Sequence, residues 1–204
     1  MIGVFQLESR IAQITSRSLK PTRFEEIVAL VALIRPGPLG ANMHIEFADR
    51  ATGKKEIEFL HTDLKEILEE TYGVILYQEQ VMQIAQKISA FQLDEADDLR
   101  KAMGKKIPKV MEQQRKKFTD GAISNGYSEQ FSIELFDQIA FFAGYGFNKS
   151  HSVPYALIAY QTAYLKANHP AEYLSACLTA VKRDKDRTAI FLAEARELGV
   201  NVKT

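Results

Sequence analysis

The apolar positions of this chain recur at helical spacing over most of its length. Val81, Ile84, Ala85 and Ile88, for example, fall on one face of a helix. Glycines, prolines and short charged runs separate such stretches, and these residues are typical of helix ends. The pattern predicts helices over about residues 22–33, 63–72, 78–89, 93–103, 108–124, 128–142, 153–168, 170–181 and 188–198. We therefore expect a mainly α fold, an irregular assembly of many helices.

One stretch, residues 39–60, departs from this pattern. Ile45 and Phe47 alternate with polar residues, and Ile57 and Phe59 do the same. A turn-like Thr-Gly-Lys run lies between the two pairs, an arrangement typical of a hairpin. The sequence therefore predicts a small β-hairpin or loop insertion at this point of the helical fold.

The bulk composition bounds the kind of protein. With 204 residues, the chain is long enough for one large domain or two small ones. Its single cysteine, Cys177, cannot form an internal disulfide, and no Cys/His cluster has the spacing of a metal site. No apolar run approaches the roughly 20 residues of a bilayer span, and the N-terminus lacks a signal-peptide pattern. We expect a cytoplasmic protein without membrane association.

Charge is balanced overall but polarised along the chain. The 26 basic and 26 acidic residues cancel. Residues 100–117 contain eight basic residues against Glu112, whereas residues 56–79 contain seven acidic residues against Lys65. The eight basic residues are Arg100, Lys101, Lys105, Lys106, Lys109, Arg115, Lys116 and Lys117. Such a run is either a solvated helix face or an electrostatic footprint for a phosphate backbone.

The segment from Phe142 to Ser152 concentrates groups that suit an anion. Gly144 and Gly146 let another molecule approach the main chain, and Lys149 adds a mobile positive charge. The side-chain donors around this lysine are Asn148, Ser150, His151 and Ser152. The next helix is predicted to begin near Ser152, so that its free N–H groups face the same loop. A polyphosphate is the natural ligand. The alternatives are a glycine-punctuated turn with an incidental lysine and, for His151, a helix-capping role.

A second donor cluster lies at the start of the basic run, beside Gly104. It consists of Arg100, Lys101, Lys105 and Lys106. Gly104 is predicted to lie just past the end of a helix and to allow a sharp turn there. Arginine grips phosphate oxygens in bidentate fashion and lysine acts as a point charge. The alternative is an ordinary surface pair between Asp97 and Lys101, which are four residues apart.

Two further features admit more than one interpretation. Arg35 precedes Pro36-Gly37-Pro38, a run that is predicted to end a helix. This arginine either orders the loop through main-chain hydrogen bonds or contacts DNA. Tyr155, Tyr160 and Tyr164 form a stripe on a predicted helix. We interpret the stripe as packing material rather than as a base-stacking surface.

Several segments resemble a single family, and they follow one another in the order of that family. They are residues 3–9, 28–39, 70–86, 99–106, 143–152 and 155–166. Their wording, such as Ala-Gly-Tyr-Gly-Phe-Asn-Lys-Ser-His-Ser in the glycine loop, is similar to that of the alpha subunits of bacterial replicative DNA polymerase III, which are C-family DNA polymerases. The resemblance covers nearly the whole chain. Departures occur at Ile11-Ala12, at Gly40-Ala41-Asn42-Met43 and at Val153-Pro154.

The resemblance places the chain in the fingers region, just after the palm. It implies a palm-to-fingers edge at residues 1–20, a fingers domain at residues 21–181 and the start of a following helical segment at residues 182–204. Nucleotide-binding residues implied in this way are Arg100, Lys101, Asn148, Lys149, Ser150 and His151. DNA-binding residues are Lys105, Lys106, Lys109, Arg115, Lys116 and Lys117. The implied partners are template–primer DNA, deoxynucleoside triphosphates, the remainder of the alpha subunit and its holoenzyme.

The resemblance also says what this chain lacks. The catalytic aspartates of the family lie in palm motifs upstream of Gly3, and the Asp184-Lys185-Asp186 run reads as a solvated junction. We therefore predict no catalytic residue here, and Mg²⁺ is expected for the intact polymerase but not ligated by this chain. The leading hypothesis is the fingers portion of a DNA-directed DNA polymerase that is inactive in isolation. The alternative is a non-catalytic nucleic-acid-binding module that uses residues 100–117.

Overall fold

The structure, a computed structural model, describes residues 1–105, 107–142 and 145–203, except for the side chain of Lys105. Within these ranges the regular structure consists of twelve α-helices and two 3₁₀ turns. The prediction of a mainly α fold is therefore confirmed. The one β contact in the same ranges is an isolated bridge between Tyr77 and Phe147. In the described part of the chain, no helix has both the length and the apolar character needed to cross a membrane.

The chain divides into two compact units. The first comprises residues 1–31 together with the chain from Val153 onward, and the second comprises Ala32–Ser152. Helices α1 (Arg10–Leu19), α11 (Pro170–Val181) and α12 (Lys185–Glu197) belong to the first unit. Helices α2 (Phe24–Leu33) and α10 (Lys149–Asn168) each run through a division point. The functional boundaries that the sequence implies near residues 20 and 181 stay a prediction.

The second unit contains seven helices within its described residues. They are α3 (Pro36–Gly40), α4 (Met43–Ala51), α5 (Lys65–Leu68), α6 (Gln78–Ser89), α7 (Leu93–Lys105), α8 (Pro108–Ser124) and α9 (Glu129–Phe142). The 3₁₀ turns, Thr62–Leu64 and Glu69–Thr71, flank α5. Helix α6 packs against α7 and α8, and α8 packs against α9. Phe118 of α8 is fully buried and its ring lies 5.5 Å from that of Phe136 in α9, so these two aromatics join the helices into one core.

In the first unit the C-terminal helices hold the N-terminal segment. Tyr173 of α11 donates its hydroxyl to Gly3 O at 2.5 Å, and Lys166 of α10 donates Nζ to Ile2 O at 2.6 Å. The core of α11 and α12 consists of Leu174, Phe191 and Ala195. The N-terminal residues are therefore part of the packed unit although they are not helical.

The tyrosine stripe of α10 also lies in the first unit. Tyr155 contacts Phe5 with ring centroids 5.6 Å apart, and Tyr160 contacts Phe24 at 6.5 Å. Tyr164 lies 6.3 Å from Tyr160. These ring contacts agree with a packing role for the stripe, although Tyr160 and Tyr164 stay about half exposed.

The predicted β-hairpin is not formed. Met43–Ala51 is helix α4, and no residue from 52 to 60 lies in a strand. Met43 and Phe47 are buried, whereas Ile45 is 51% exposed. The burial thus follows the helical spacing of four residues, and the two-residue alternation that suggested a strand was too short to decide the conformation. A loop does follow α4, in agreement with the loop insertion that the sequence predicted as the alternative to a hairpin.

Three helix ends differ from the sequence prediction. Gly104 lies inside α7 rather than past its end, so no sharp turn occurs at this residue. Helix α10 begins at Lys149 rather than near Ser152, because the Asn148 carboxamide accepts the His151 N–H at 2.9 Å and caps an earlier turn. Pro36, which was predicted to end a helix, also opens the short helix α3.

Candidate functional site

The described part of the glycine loop is tied to the start of α6. The Gln78 N–H donates to Phe147 O at 2.9 Å, and the Gln78 side-chain amide donates to Gly146 O at 3.3 Å. The Phe147 N–H in turn approaches Leu76 O at 3.4 Å. These contacts form the Tyr77–Phe147 bridge and place the start of α10 beside the start of α6. Gly144, which the sequence singled out in this loop, lies outside the described residues.

Arg35 holds the same loop from the other side. Its Nε donates to Ala32 O at 2.8 Å, and its Nη2 donates to Tyr145 O at 2.8 Å. The guanidinium carbon lies 4.1 Å from the centre of the Phe147 ring, a cation–π distance. Burial lowers the pKa of Arg35. The structure therefore favours the first of the two roles considered for Arg35, namely ordering the loop through main-chain hydrogen bonds.

Gly37 makes room for this arrangement. A Cβ atom added at this glycine would lie 2.4 Å from the Tyr145 ring. The ring thus packs directly on the backbone of α3, and a larger residue would displace it. This close approach explains why a glycine stands between the two prolines.

Gln80 braces the two residues that precede α6. Its side-chain oxygen accepts the N–H groups of Leu76 and Tyr77, both at 2.9 Å. Its amide nitrogen donates to Ile67 O at 3.2 Å and to Thr71 Oγ1 at 2.8 Å. The residue is only 5% exposed. Gln80 thereby caps the start of α6 from the third helical position, and it fixes the main chain against which the glycine loop bonds.

Lys149 contacts two carboxylates from the acidic region of the sequence, one through its side chain and one through its backbone. Its Nζ lies 2.6 Å from Glu70 Oε2. Its backbone N–H lies 3.0 Å from each carboxylate oxygen of Glu79. The Nζ atom of Lys149 also lies 5.6 Å from the centre of the Tyr77 ring. The lysine that the sequence proposed as an anion ligand is therefore paired within the protein in this structure.

The remaining loop residues lie in the cap and first turn of α10. Asn148 is the capping residue, and Ser150 and His151 are exposed. The His151 ring lies 5.5 Å from that of Phe147. The structure thus brings Asn148, Lys149, Ser150 and His151 together at one helix end, as expected from their adjacency in sequence.

The second donor cluster lies on α7 and is paired along its own helix. Arg100 Nε donates to Asp97 Oδ1 at 2.7 Å, and Lys101 Nζ lies 2.8 Å from Asp97 Oδ2. The hydrogen bonds from Lys101 and Arg100 lower the pKa of Asp97, and the same bond from Asp97 raises the pKa of Lys101. The surface pair that the sequence offered as an alternative is therefore present. The observed contacts of Arg100 and Lys101 are with α7, whereas those of Lys149 are with Glu70 and Glu79.

The basic helix α8 divides into paired and solvated cations. Arg115 contacts Asp137 of α9, and Lys117 Nζ lies 2.7 Å from Glu95 of α7. Lys109 and Lys116 are exposed, and no ion pair involves them within the described part of the chain. Lys106 and the side chain of Lys105 lie outside the described residues. Lys109 and Lys116 are thus the cations of this helix that are best placed to meet an external anion.

Metal binding has no support in the described ranges. Within residues 1–105, 107–142 and 145–203, no group of three or more His, Cys, Asp or Glu side chains could hold a metal ion. Glu70 and Glu79 are the carboxylates nearest the candidate loop, and both are engaged by Lys149. The described residues around the candidate loop therefore do not fit a Mg²⁺ site.

Sequence reasoning missed four contributors to this site. Gln78, Glu79 and Gln80 are polar residues at the start of a predicted helix, and their sequence pattern assigns them no individual role. A glutamine at the third position of a predicted helix is a signal that its side chain can cap the main chain before that helix. Glu70 offered no local signal, because its partner lies 79 residues away.

Comparison with known proteins places this arrangement in a family. Residues 1–126 match the bacterial DNA polymerase III alpha subunit finger domain. Over 205 aligned residues, the chain is 49% identical to the DNA polymerase III subunit alpha of Mycobacterium tuberculosis (strain CDC 1551 / Oshkosh), with 98% of this chain and 17% of that protein covered. The subunit from Vibrio cholerae is 49% identical, and that from Escherichia coli (strain K12) is 48% identical, each with 98% of this chain and 18% of the relative covered. The chain thus spans less than a fifth of the length of these relatives.

Proposed function

Because this chain belongs to the finger-domain family of bacterial DNA polymerase III alpha subunits, we propose that it works as the fingers portion of a DNA-directed DNA polymerase in DNA replication. The observation that carries this proposal is the near-uniform identity of 47–49% to DNA polymerase III alpha subunits over 98% of the chain. We assign it to an enzyme of the nucleotidyltransferase class and expect this portion alone to be inactive.

The nucleotide-binding part of the proposal uses two groups of donors, one at the start of α10 and one on α7. Asn148, Lys149, Ser150 and His151 present donors at the start of α10, where the helix dipole also favours an anion. Arg100 and Lys101 present two cations on α7 that share the Asp97 carboxylate. Both clusters are polar and at least partly exposed, which is the condition for contacting a triphosphate. Mg²⁺, which neutralises phosphate charge in nucleotidyl transfer, would be held by parts of the polymerase outside this chain.

The DNA-binding part of the proposal rests on α8. Lys109 and Lys116 are exposed cations without an internal ion pair among the described residues, so that neither must break a contact before it meets a phosphate. Arg115 and Lys117 can contribute only by exchanging Asp137 and Glu95 for phosphate oxygens. We therefore assign the main grip on template–primer DNA to Lys109 and Lys116.

A salt titration tests this assignment. Each lost phosphate contact on duplex DNA reduces the slope of log K against log salt by about 0.9, so the Lys109→Glu/Lys116→Glu variant should lose about 1.8 from the slope and bind more weakly. Fluorescence anisotropy with a labelled primer–template duplex measures both quantities.

The matched control is Lys54→Glu/Lys65→Glu, which changes the net charge equally but places the charge near α4 and α5. The control should retain most of the wild-type slope. Equal losses in both variants would show that net charge alone governs binding and would contradict a specific α8 footprint.

A further inference from the structure

Lys149 is neutralised from within its own unit. The lysine makes an ion pair of 2.6 Å with Glu70, and its backbone N–H is shared by the two oxygens of Glu79 at 3.0 Å. One cation therefore faces two carboxylates, and the three groups together carry a net negative formal charge. A triphosphate that approached them unchanged would be repelled.

The Glu79 carboxylate also lies at the N-terminal ends of two helices, α6 and α10. Glu79 lies in the first turn of α6 and accepts the N–H of the first residue of α10. The positive ends of two helices are thus compensated by one carboxylate of the protein. Helix N-termini and lysine ammonium groups are the groups that commonly bind phosphate oxygens.

We propose that Glu70 and Glu79 are internal competitors for the phosphate groups of the nucleotide, so that Lys149 engages a nucleotide only when phosphate oxygens replace these carboxylates. This inference rests on the proposed function and concerns the regulation of the same site. Carboxylate and phosphate oxygens accept hydrogen bonds from the same donors. A phosphate oxygen therefore cannot take the position of Glu70 Oε2 beside the Lys149 Nζ while that carboxylate remains there.

The Lys149–Glu70 pair has the properties of an exchangeable contact. The two side chains are 37% and 34% exposed, and ion pairs with such access to water contribute little to stability. Glu70 Oε1 is buried and has no hydrogen-bond partner within the part of the chain that the structure describes. A buried polar atom without a partner is unfavourable, so moving Glu70 into water relieves this burial.

The test is calorimetric titration of the 204-residue chain with inorganic tripolyphosphate at low ionic strength. Glu70→Gln and Glu79→Gln keep the side-chain shape and an acceptor oxygen but remove the competing charge. We expect Glu70→Gln to bind tripolyphosphate about two- to five-fold more tightly than the wild type, since this is the range of a partly exposed ion pair. Glu79→Gln, whose contact is with the Lys149 backbone N–H, should also bind the anion more tightly than the wild type. The gain should shrink as salt is added, because exposed charges are screened.

Two controls make the result specific. Glu66→Gln removes the same charge from a carboxylate whose partner is Lys87, and it should bind as the wild type does. Lys149→Ala introduced into Glu70→Gln should abolish the gain. Far-UV circular dichroism establishes whether each variant is folded. If Glu79→Gln does not fold, Glu70→Gln is sufficient for the test, because Glu70 contacts the Lys149 side chain rather than the backbone.

The outcomes separate the inference from the proposed function. If Lys149→Ala weakens wild-type binding but Glu70→Gln does not strengthen it, the competition is refuted and the nucleotide role of Lys149 survives. If Lys149→Ala binds as the wild type does, or if no protein binds the anion, both are refuted. An equal gain in Glu66→Gln would refute the competition by showing a general effect of charge.

Discussion

Replacing Gln80 by leucine should destabilise the second unit more than any comparable change on the surface of α6. The glutamine accepts two main-chain N–H groups and donates to one carbonyl and one hydroxyl, all from a side chain that is almost fully buried. Leucine has a similar size but offers no hydrogen bond. The variant would therefore leave the N–H groups of Leu76 and Tyr77 buried and unsatisfied.

The size of the effect follows from these groups. A buried donor that loses its partner costs about 1–3 kcal/mol, and the two donors dominate. Thr71 keeps its bonds to Val74 O and Leu68 O, and Ile67 is partly exposed, so its carbonyl can be hydrated. We expect a loss of about 3–5 kcal/mol in the free energy of unfolding, which is a large part of the stability of an ordinary domain.

Urea unfolding followed by far-UV circular dichroism measures this loss, and amide hydrogen exchange at Leu76 and Tyr77 reports it locally. Gln86→Leu is the matched control, because Gln86 is exposed on the same helix and should change stability by about 0.5 kcal/mol or less. Gln80→Glu keeps the acceptor but not the amide donor, so it should fall between the two. If Gln80→Leu came within about 1 kcal/mol of Gln86→Leu, the bracing role of Gln80 would be wrong.

Two further changes test a packing contact and a hydrogen bond of the second unit. Gly37→Ala would place a Cβ 2.4 Å from the Tyr145 ring, and we expect a loss of about 1–3 kcal/mol in urea unfolding, whereas Gly40→Ala, with open space at its Cβ, should be nearly neutral. The hydrogen bond to Asp63 raises the pKa of Tyr127 from 10.0 to about 12. A raised folded-state pKa contributes stability that is present below about pH 10 and is lost as the pH rises toward 12, so Tyr127→Phe should show a shallower alkaline loss of stability than the wild type. Equal alkaline losses in the two proteins would contradict this assignment.

The helices that the sequence predicted well are those with local end signals. Pro108 and Pro170 open α8 and α11 at the predicted residues, because proline suits the first helical position. The hairpin prediction was wrong because the apolar pattern was short and fitted both the two-residue alternation of a strand and the spacing of a helix. Met43 lay outside the alternating pairs that were considered, yet its four-residue spacing from Phe47 determines the buried face of α4.

The candidate site was predictable only as far as its residues are neighbours in sequence. The donors at the start of α10 follow one another along the chain, so the sequence could group them. The partners of Lys149 lie 70 and 79 residues away, and only the packing of α6 beside the loop brings them close. A pattern search over one segment therefore recognises the cation but not the carboxylates that already hold it.

The same reasoning changes the meaning of the basic run. Counted along the sequence, residues 100–117 carry eight cations against one carboxylate. In the described part of the fold, however, Asp97 engages two of these cations, and Asp137 and Glu95 engage one each. Lys109 and Lys116 are the described cations of the run that remain without an ion pair. If the basic run binds DNA as we propose, the packing of α7, α8 and α9 limits how many of its described cations can do so, and the salt slope should correspond to fewer than eight phosphate contacts.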